Sequence, residues 1–240
     1  MNNVFKYGDI AYQDMQLVNR KDMSRAAIDP AAWSKMAATL QLIPITISEC
    51  KFVCTTLPIV FSPSAKPMPI AITGFTPKKN MLFINGMWEQ YAYIPLSVKR
   101  YPFALADINE QKKQLLYVDS KALLEGNKYR LFDDEEKNTD TLDQAIKNCK
   151  LFDEQINTTS QAIKLIDKMG LFKETQLVIK TDDGVEKKTS PFNVIDVVKL
   201  GQLSDEDIVK LQKSQGLWLI NAHIISMTKI ESIVRKSLPR

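Results

Sequence analysis

Leu142, Ala145, Cys149, Phe152, Ile156, Thr159, Ile163 and Ile166 follow one another at alternating spacings of three and four residues. That is the period of a helix with one apolar stripe. The unbroken stripe predicts one long helix, opened by a capping box in which Thr141 stands three residues before Gln144 and stopped at Gly170. Ala, Cys and Thr fill a zipper core poorly. The stripe is therefore expected to lie across a sheet or against C-terminal helices of the same chain. Oligomerisation through the 142–166 face is the alternative.

Upstream the pattern changes to short β-like runs between residues 43 and 118. Ile45-Thr46-Ile47, Phe52-Val53-Cys54, Ile59-Val60-Phe61 and Ile70-Ala71-Ile72-Thr73 are rich in β-branched and aromatic side chains. Met81-Leu82-Phe83-Ile84 runs into Asn85-Gly86, a hairpin turn signal, ahead of Met87-Trp88. Runs over 103–107 and 114–119 form a further pair joined by the polar stretch 109–113. The spacing of these runs predicts a compact antiparallel sheet or partial barrel.

Residues 1–43 read as an N-terminal extension with a short helix over 31–40, opened by Asp29-Pro30. Beyond the long helix, Leu177-Val178-Ile179 reads as a strand with a tight turn at Asp182-Asp183-Gly184, and 192–200 as its return. Ser204-Asp205-Glu206-Asp207 opens a helix expected to end near Gly216. A mostly buried helix over 217–229 follows, and Arg235 to Arg240 is expected as a solvated, unstructured tail. The fold class is α+β: an antiparallel, β-rich N-terminal half and a helical C-terminal half, with 44–240 a single domain.

Composition narrows the function mainly by exclusion. The 240 residues carry 32 Lys and Arg against 28 Asp and Glu, a net charge of +4, with no dense basic stripe. No nucleic-acid partner is expected. The longest apolar stretch, 217–227, is shorter than the ~20 residues of a membrane span, so an integral membrane role is not expected. No secretory signal is read at the N-terminus, and a cytoplasmic location is expected. The three cysteines, Cys50, Cys54 and Cys149, fit buried reduced thiols. P-loop, dinucleotide and nucleophile-elbow motifs are missing. A single His rules out multi-histidine metal sites. Neither a cofactor nor a metal is expected.

The segment from Trp88 to Ala106 holds the densest candidate chemistry. It sets two X-Pro steps, Ile94-Pro95 and Tyr101-Pro102, among aromatic rings and the cations Lys99 and Arg100. Arg100 beside Tyr101 could clamp an anion or carboxylate. Equally, the stems of the cations could cover core aromatics. Trp88, Tyr93, Arg100, Tyr101 and His223 are the candidate binding residues. His223, flanked by Ala222, Ile224 and Ile225, reads first as a satisfied buried histidine and second as an acid/base. The acidic run 133–136 lacks the alternation of a calcium loop and reads as a solvated turn.

Several blocks occur in one order. They are Leu57-Pro58-Ile59-Val60-Phe61, Leu82-Phe83-Ile84 with Trp88, Tyr93-Ile94-Pro95, Lys99-Arg100-Tyr101-Pro102-Phe103-Ala104-Leu105-Ala106, Leu131-Phe132-Asp133-Asp134, and the run from Gly216 to Ser226. Together they resemble the SapC family, named for a protein linked to bacterial surface-layer genes, over residues 45–228. Leu57 stands where the family favours Tyr, Lys99 where it favours Arg, and Leu217 separates Gly216 from Trp218. The resemblance implies a role in surface-layer protein production or export, with relatives encoded near outer-membrane receptors and halogenase-like enzymes. It supplies no catalytic residues, and the permease label some relatives carry disagrees with the hydropathy.

The leading expectation is thus a non-enzymatic accessory or binding protein whose partner is a surface-layer or secretion-related protein. The alternative is an enzyme acting on a peptide, sugar or aromatic metabolite, with His223 as acid/base and Arg100 as anion clamp in one pocket.

Overall fold

The computed structural model describes residues 10, 12–107, 114–180 and 186–237. Its centre is a five-stranded antiparallel sheet. In spatial order the strands are Phe172–Thr175, Phe192–Ile195, Ile59–Phe61, Pro69–Ile72 and Leu42–Pro44. Three come from the β-rich first half. The other two come from beyond the long helix, so the halves read separately in the sequence share one sheet.

Register decides which side chains share a face. Ile43, Ala71 and Ile59 stand opposite one another across three strands, and all three are fully buried. By alternation Phe61 joins that face, and its ring lies 5.2 Å from His223 of the helix Gly216–Ser226. Leu42 opposite Ile72, and Ile70 opposite Val60, make the other face. The strands Ile59–Phe61 and Phe192–Ile195 pair at a single position, Asn193 with Phe61, and then diverge.

The long helix runs from Asp140 to Lys168. Its stripe turns inward as expected: Leu142, Ala145, Cys149, Phe152, Thr159, Ile163 and Ile166 are buried. Gly170 follows with φ +66°, the left-handed turn that ends a helix. The N-terminal boundary differs from the Thr141 capping box. Thr139 is the cap: its hydroxyl oxygen accepts from Leu142 N and its hydroxyl donates to Arg130 O at 2.5 Å. The cap is tied to the preceding chain as well as to the helix, which moves the start upstream.

The described residues before Gln41 are woven into the body. Met15–Leu17 pairs with Gln114–Asp119, which pairs with Phe103–Asp107. Ala26–Ile28 pairs with Leu123–Glu125. Buried Asp119 accepts from Gln13 N, Asp14 N and Lys121 N. The expected short helix is Pro30–Thr39, capped by Asp29, and its Trp33 donates to Val98 O at 3.3 Å.

Other expectations change. Ile45-Thr46-Ile47 and Phe52-Val53-Cys54 do not form strands. A 3-10 turn, Ile47–Glu49, leads into the helix Cys50–Val53. The cause is a capping box the β-like composition hides: Thr46 and Glu49 exchange side-chain and backbone hydrogen bonds. The return partner of Val178–Lys180 is Glu186–Lys188, while Phe192–Ile195 enters the central sheet. The Asp182-Asp183-Gly184 turn and the 109–113 connector lie outside the described residues. Ser204 caps Asp205–Lys213 as expected, but that helix stops short of Gly216. The 217–229 helix divides into Gly216–Ser226 and a 3-10 turn, Met227–Lys229. Arg235 to Ser237 of the expected loose tail belong to the helix Ile230–Ser237, docked by bonds from Phe75 N to Ser237 Oγ and from Thr76 Oγ1 to Ser237 O, and the last three residues of that tail lie outside the described residues.

Candidate functional site

The Trp88–Ala106 segment is organised by a residue the sequence reading did not single out. Glu49 is buried, and four donors converge on its carboxylate. Leu96 N reaches Oε1 at 2.6 Å, Thr46 N and Thr46 Oγ1 each reach Oε2 at 2.8 Å, and the Tyr93 hydroxyl also donates. Burial raises its pKa above the ordinary carboxylate value, and the four donors oppose that rise. Pro95 sets the start of the short helix Leu96–Lys99. Ser97 Oγ donates to Pro44 O at 2.7 Å, which locks that helix to the edge strand of the central sheet. The Tyr-Ile-Pro block is therefore a joint between the sheet, the Glu49 turn and the long helix.

Outside this joint sits an aromatic and cationic surface. Tyr93 stacks on Phe52 with ring centres 5.0 Å apart and planes inclined by 18°. Lys99 Nζ lies 4.4 Å from the centre of the Tyr93 ring, and Lys51 Nζ lies 4.8 Å from that of Phe52. Tyr93 is half-buried and Phe52 is 47% exposed. The Tyr93 hydroxyl is held on Glu49, so its ring orientation is fixed from below. Its acidity is suppressed, first by burial and then by the Glu49 charge.

Arg100 is turned inward, only 1% exposed. Its guanidinium carbon lies 4.1 Å from the centre of the Phe152 ring, and Nη1 is 4.0 Å from Asp153 Oδ1. Desolvation pushes the nearby Cys149 thiol up to about 12, with Arg100 opposing. Tyr101 is half-buried, its ring 5.7 Å from that of Tyr12, and its hydroxyl is pushed up to about 12 by burial and then by Asp119 and Asp29. Trp88 pairs with Phe83 in the small hairpin, whose turn Asn85-Gly86 has positive φ at both residues, as the sequence signal requires. Its indole N–H is buried without a hydrogen-bond partner among the described residues.

His223 has a setting of its own. Nε2 accepts the amide proton of Ile195 at 3.2 Å, which leaves Nδ1 as the protonated nitrogen donating to Ile59 O at 2.6 Å. Ile59 and Ile195 stand opposite one another where the two strands diverge, so the imidazole replaces the missing ladder bond. Ser226, three residues on, accepts from Ile59 N at 2.9 Å and donates to His223 O at 2.7 Å. Burial lowers the imidazole pKa below its ordinary value. Trp88 and Tyr93 thus lie in one stretch of chain near the Glu49 joint. Arg100 contacts the long helix, and His223 spans the sheet; no hydrogen bond or ion pair joins these two side chains.

Three further observations bear on the class of site. Among the described residues, no group of three His, Cys, Asp or Glu side chains is arranged to hold a metal ion. No described helix is long and apolar enough to cross a membrane. In the acidic turn, Asp133 Oδ1 accepts from Glu135 N and Lys137 N, while Arg130 pairs with Asp134.

The fold is an α+β assembly in which an aromatic block is seated on a buried carboxylate. A profile of the SapC family matches residues 18–233, and the chain belongs to that family. Comparisons with curated proteins and with solved structures returned no match.

Proposed function

We propose that this SapC-family protein is a non-enzymatic accessory protein that binds a surface-layer or secretion-related protein through the Phe52–Tyr93 surface. The observation that carries this reading is the preset geometry of the stack. Two aromatic rings are presented with a cation beside each, and one ring is anchored on buried Glu49. Rigid aromatic side chains present large contact area at low entropic cost, and such residues dominate binding energy at interfaces. Lys51 and Lys99 add a preference for a partner carrying carboxylates around an apolar anchor. His223 supports the same reading, since both ring nitrogens are engaged by backbone groups and neither is left to move a proton for a substrate.

The test is direct binding of the purified chain to surface-layer protein from its own host, by interferometry, with Phe52→Ser and Lys99→Glu. Both side chains are exposed, so both variants should fold. Wild-type binding with at least a tenfold loss in each variant is the expected result. Binding that both variants retain in full would refute this surface.

A further inference from the structure

The face of the central sheet opposite His223 forms a second, separate feature. Leu42, Ile72, Ile70 and Val60 form its aliphatic floor, in the cross-strand register given above. Among the described residues, none of those lining this slot belongs to a helix. Phe75 and Phe192 are among its walls, together with three prolines, and they leave an open cleft of about 350 Å³. Leu42, 39% exposed, stands in the lining.

The charge around this cleft is one-sided. Among the described residues, Lys188 is the single charged side chain in the lining, and no carboxylate lines it. Lys78 and Lys79, both exposed, follow the lining residue Pro77. The Gln41 side chain accepts from Lys78 N, which holds that turn against the cleft. An apolar trough with one ammonium group and no carboxylate in its described lining is complementary to a molecule with a hydrocarbon body and one negative end. At roughly 30 Å³ per water-sized group, the cleft accommodates an occupant of about ten to twelve heavy atoms.

We propose that this cleft binds an aliphatic monocarboxylate of about eight to ten carbons, its chain along the Leu42–Ile72–Ile70–Val60 floor and its carboxylate at Lys188. The inference stands apart from the proposed partner surface. Phe52 belongs to the helix Cys50–Val53, which packs with the helix Gly216–Ser226 over the opposite face of the sheet. Loss of one function therefore need not disturb the other.

The test is calorimetric titration of the full chain with octanoate and decanoate, with 1-decanol and decylamine as neutral and cationic counterparts. The expected result is saturable one-to-one binding of the carboxylates. Both counterparts should bind at least tenfold more weakly. Lys188→Glu, an exposed position, should weaken decanoate at least tenfold. Leu42→Trp, which fills the cleft from its exposed side, should abolish binding, with circular dichroism confirming that both variants fold. Absence of saturable carboxylate binding would overturn the proposal, and so would equal affinity for decylamine or indifference to both substitutions.

Discussion

The backbone amide of Leu96 donates to Oε1 of Glu49 at 2.6 Å across 47 residues of sequence. Thr46 and Tyr93 complete the ring of donors around that carboxylate. The Tyr-Ile-Pro block by which the family resemblance is read thus owes its position to an acidic residue outside the block. Replacing Glu49 with Gln sets an amide donor against existing donors. The expected cost is about 2–4 kcal/mol of folding free energy, read as a lowered urea midpoint. Since Tyr93 loses its anchor, partner binding should fall in the same variant.

His223 gives a signed pH dependence. Its folded-state pKa lies below the ordinary value of about 6.5 because burial disfavours the imidazolium. The unfolded chain therefore binds the proton more readily. The stabilisation it provides is complete above pH ~6.5 and is lost as the pH falls through the folded-state value, with a slope of at most about 1.4 kcal/mol per pH unit. Urea midpoints of wild type and His223→Gln, measured from pH 7.5 to 5, should converge as the pH drops. Parallel curves would contradict this. His223 is the only histidine in the chain, so its ring protons can be followed directly.

Thr139 and Thr141 separate the observed helix cap from the one the sequence suggests. Thr139→Ala removes the oxygen that accepts from Leu142 N and the hydroxyl that reaches Arg130 O. It should cost about 1–2 kcal/mol. Thr141→Ala lies inside the first turn and should change stability by less than about 0.5 kcal/mol. Thermal unfolding of the two variants side by side decides between the caps.

Phe152 lies beneath the Arg100 guanidinium and is fully buried. Phe152→Ala should cost about 3–5 kcal/mol, because a cavity opens under a buried cation. The inward stripe on the long helix therefore reports on folding. Loss of mass in a charged Phe152 variant would have to be checked against loss of helix signal before it could count as a broken oligomer.

Cys50, Cys54 and Cys149 are buried free thiols, and desolvation raises the pKa of both Cys50 and Cys149. The native chain should react slowly with a thiol-directed aromatic disulfide, and urea should release three equivalents. Rapid labelling of any one thiol in the native state would contradict its burial.

Periodic elements were legible from sequence because local spacing determines them. The long helix, the Asn85-Gly86 hairpin and the paired strands 103–107 and 114–119 all have signals written within a few residues. Phe52-Val53-Cys54 misled because its β-rich composition is overruled by a capping box that opens upstream at Thr46. The Thr46-x-x-Glu49 spacing was the available signal, and it was concealed by Ile45 and Ile47. Candidate-site residues divided along the same line. Tyr93 and Trp88 could be picked out as aromatic residues in a constrained segment. Whether Arg100 faces solvent or Phe152, and what His223 bridges, depends on partners far along the chain. The blunt reading of His223 as a satisfied buried histidine describes the geometry found.

The imidazole between Ile59 and Ile195 also bears on how the molecule comes to exist. His223 meets Ile59 from 164 residues further along the chain, and the two strands it joins flank the long helix in sequence. On a ribosome, the first three strands of the central sheet emerge with no neighbour on the Ile59–Phe61 side, which is an exposed template for pairing with other chains. Closure waits until the last helices are made. Slow folding dominated by contacts distant in sequence is the expected result, and chains truncated before His223 should be recovered chiefly as aggregates, with the unclosed strand as the point where they stick.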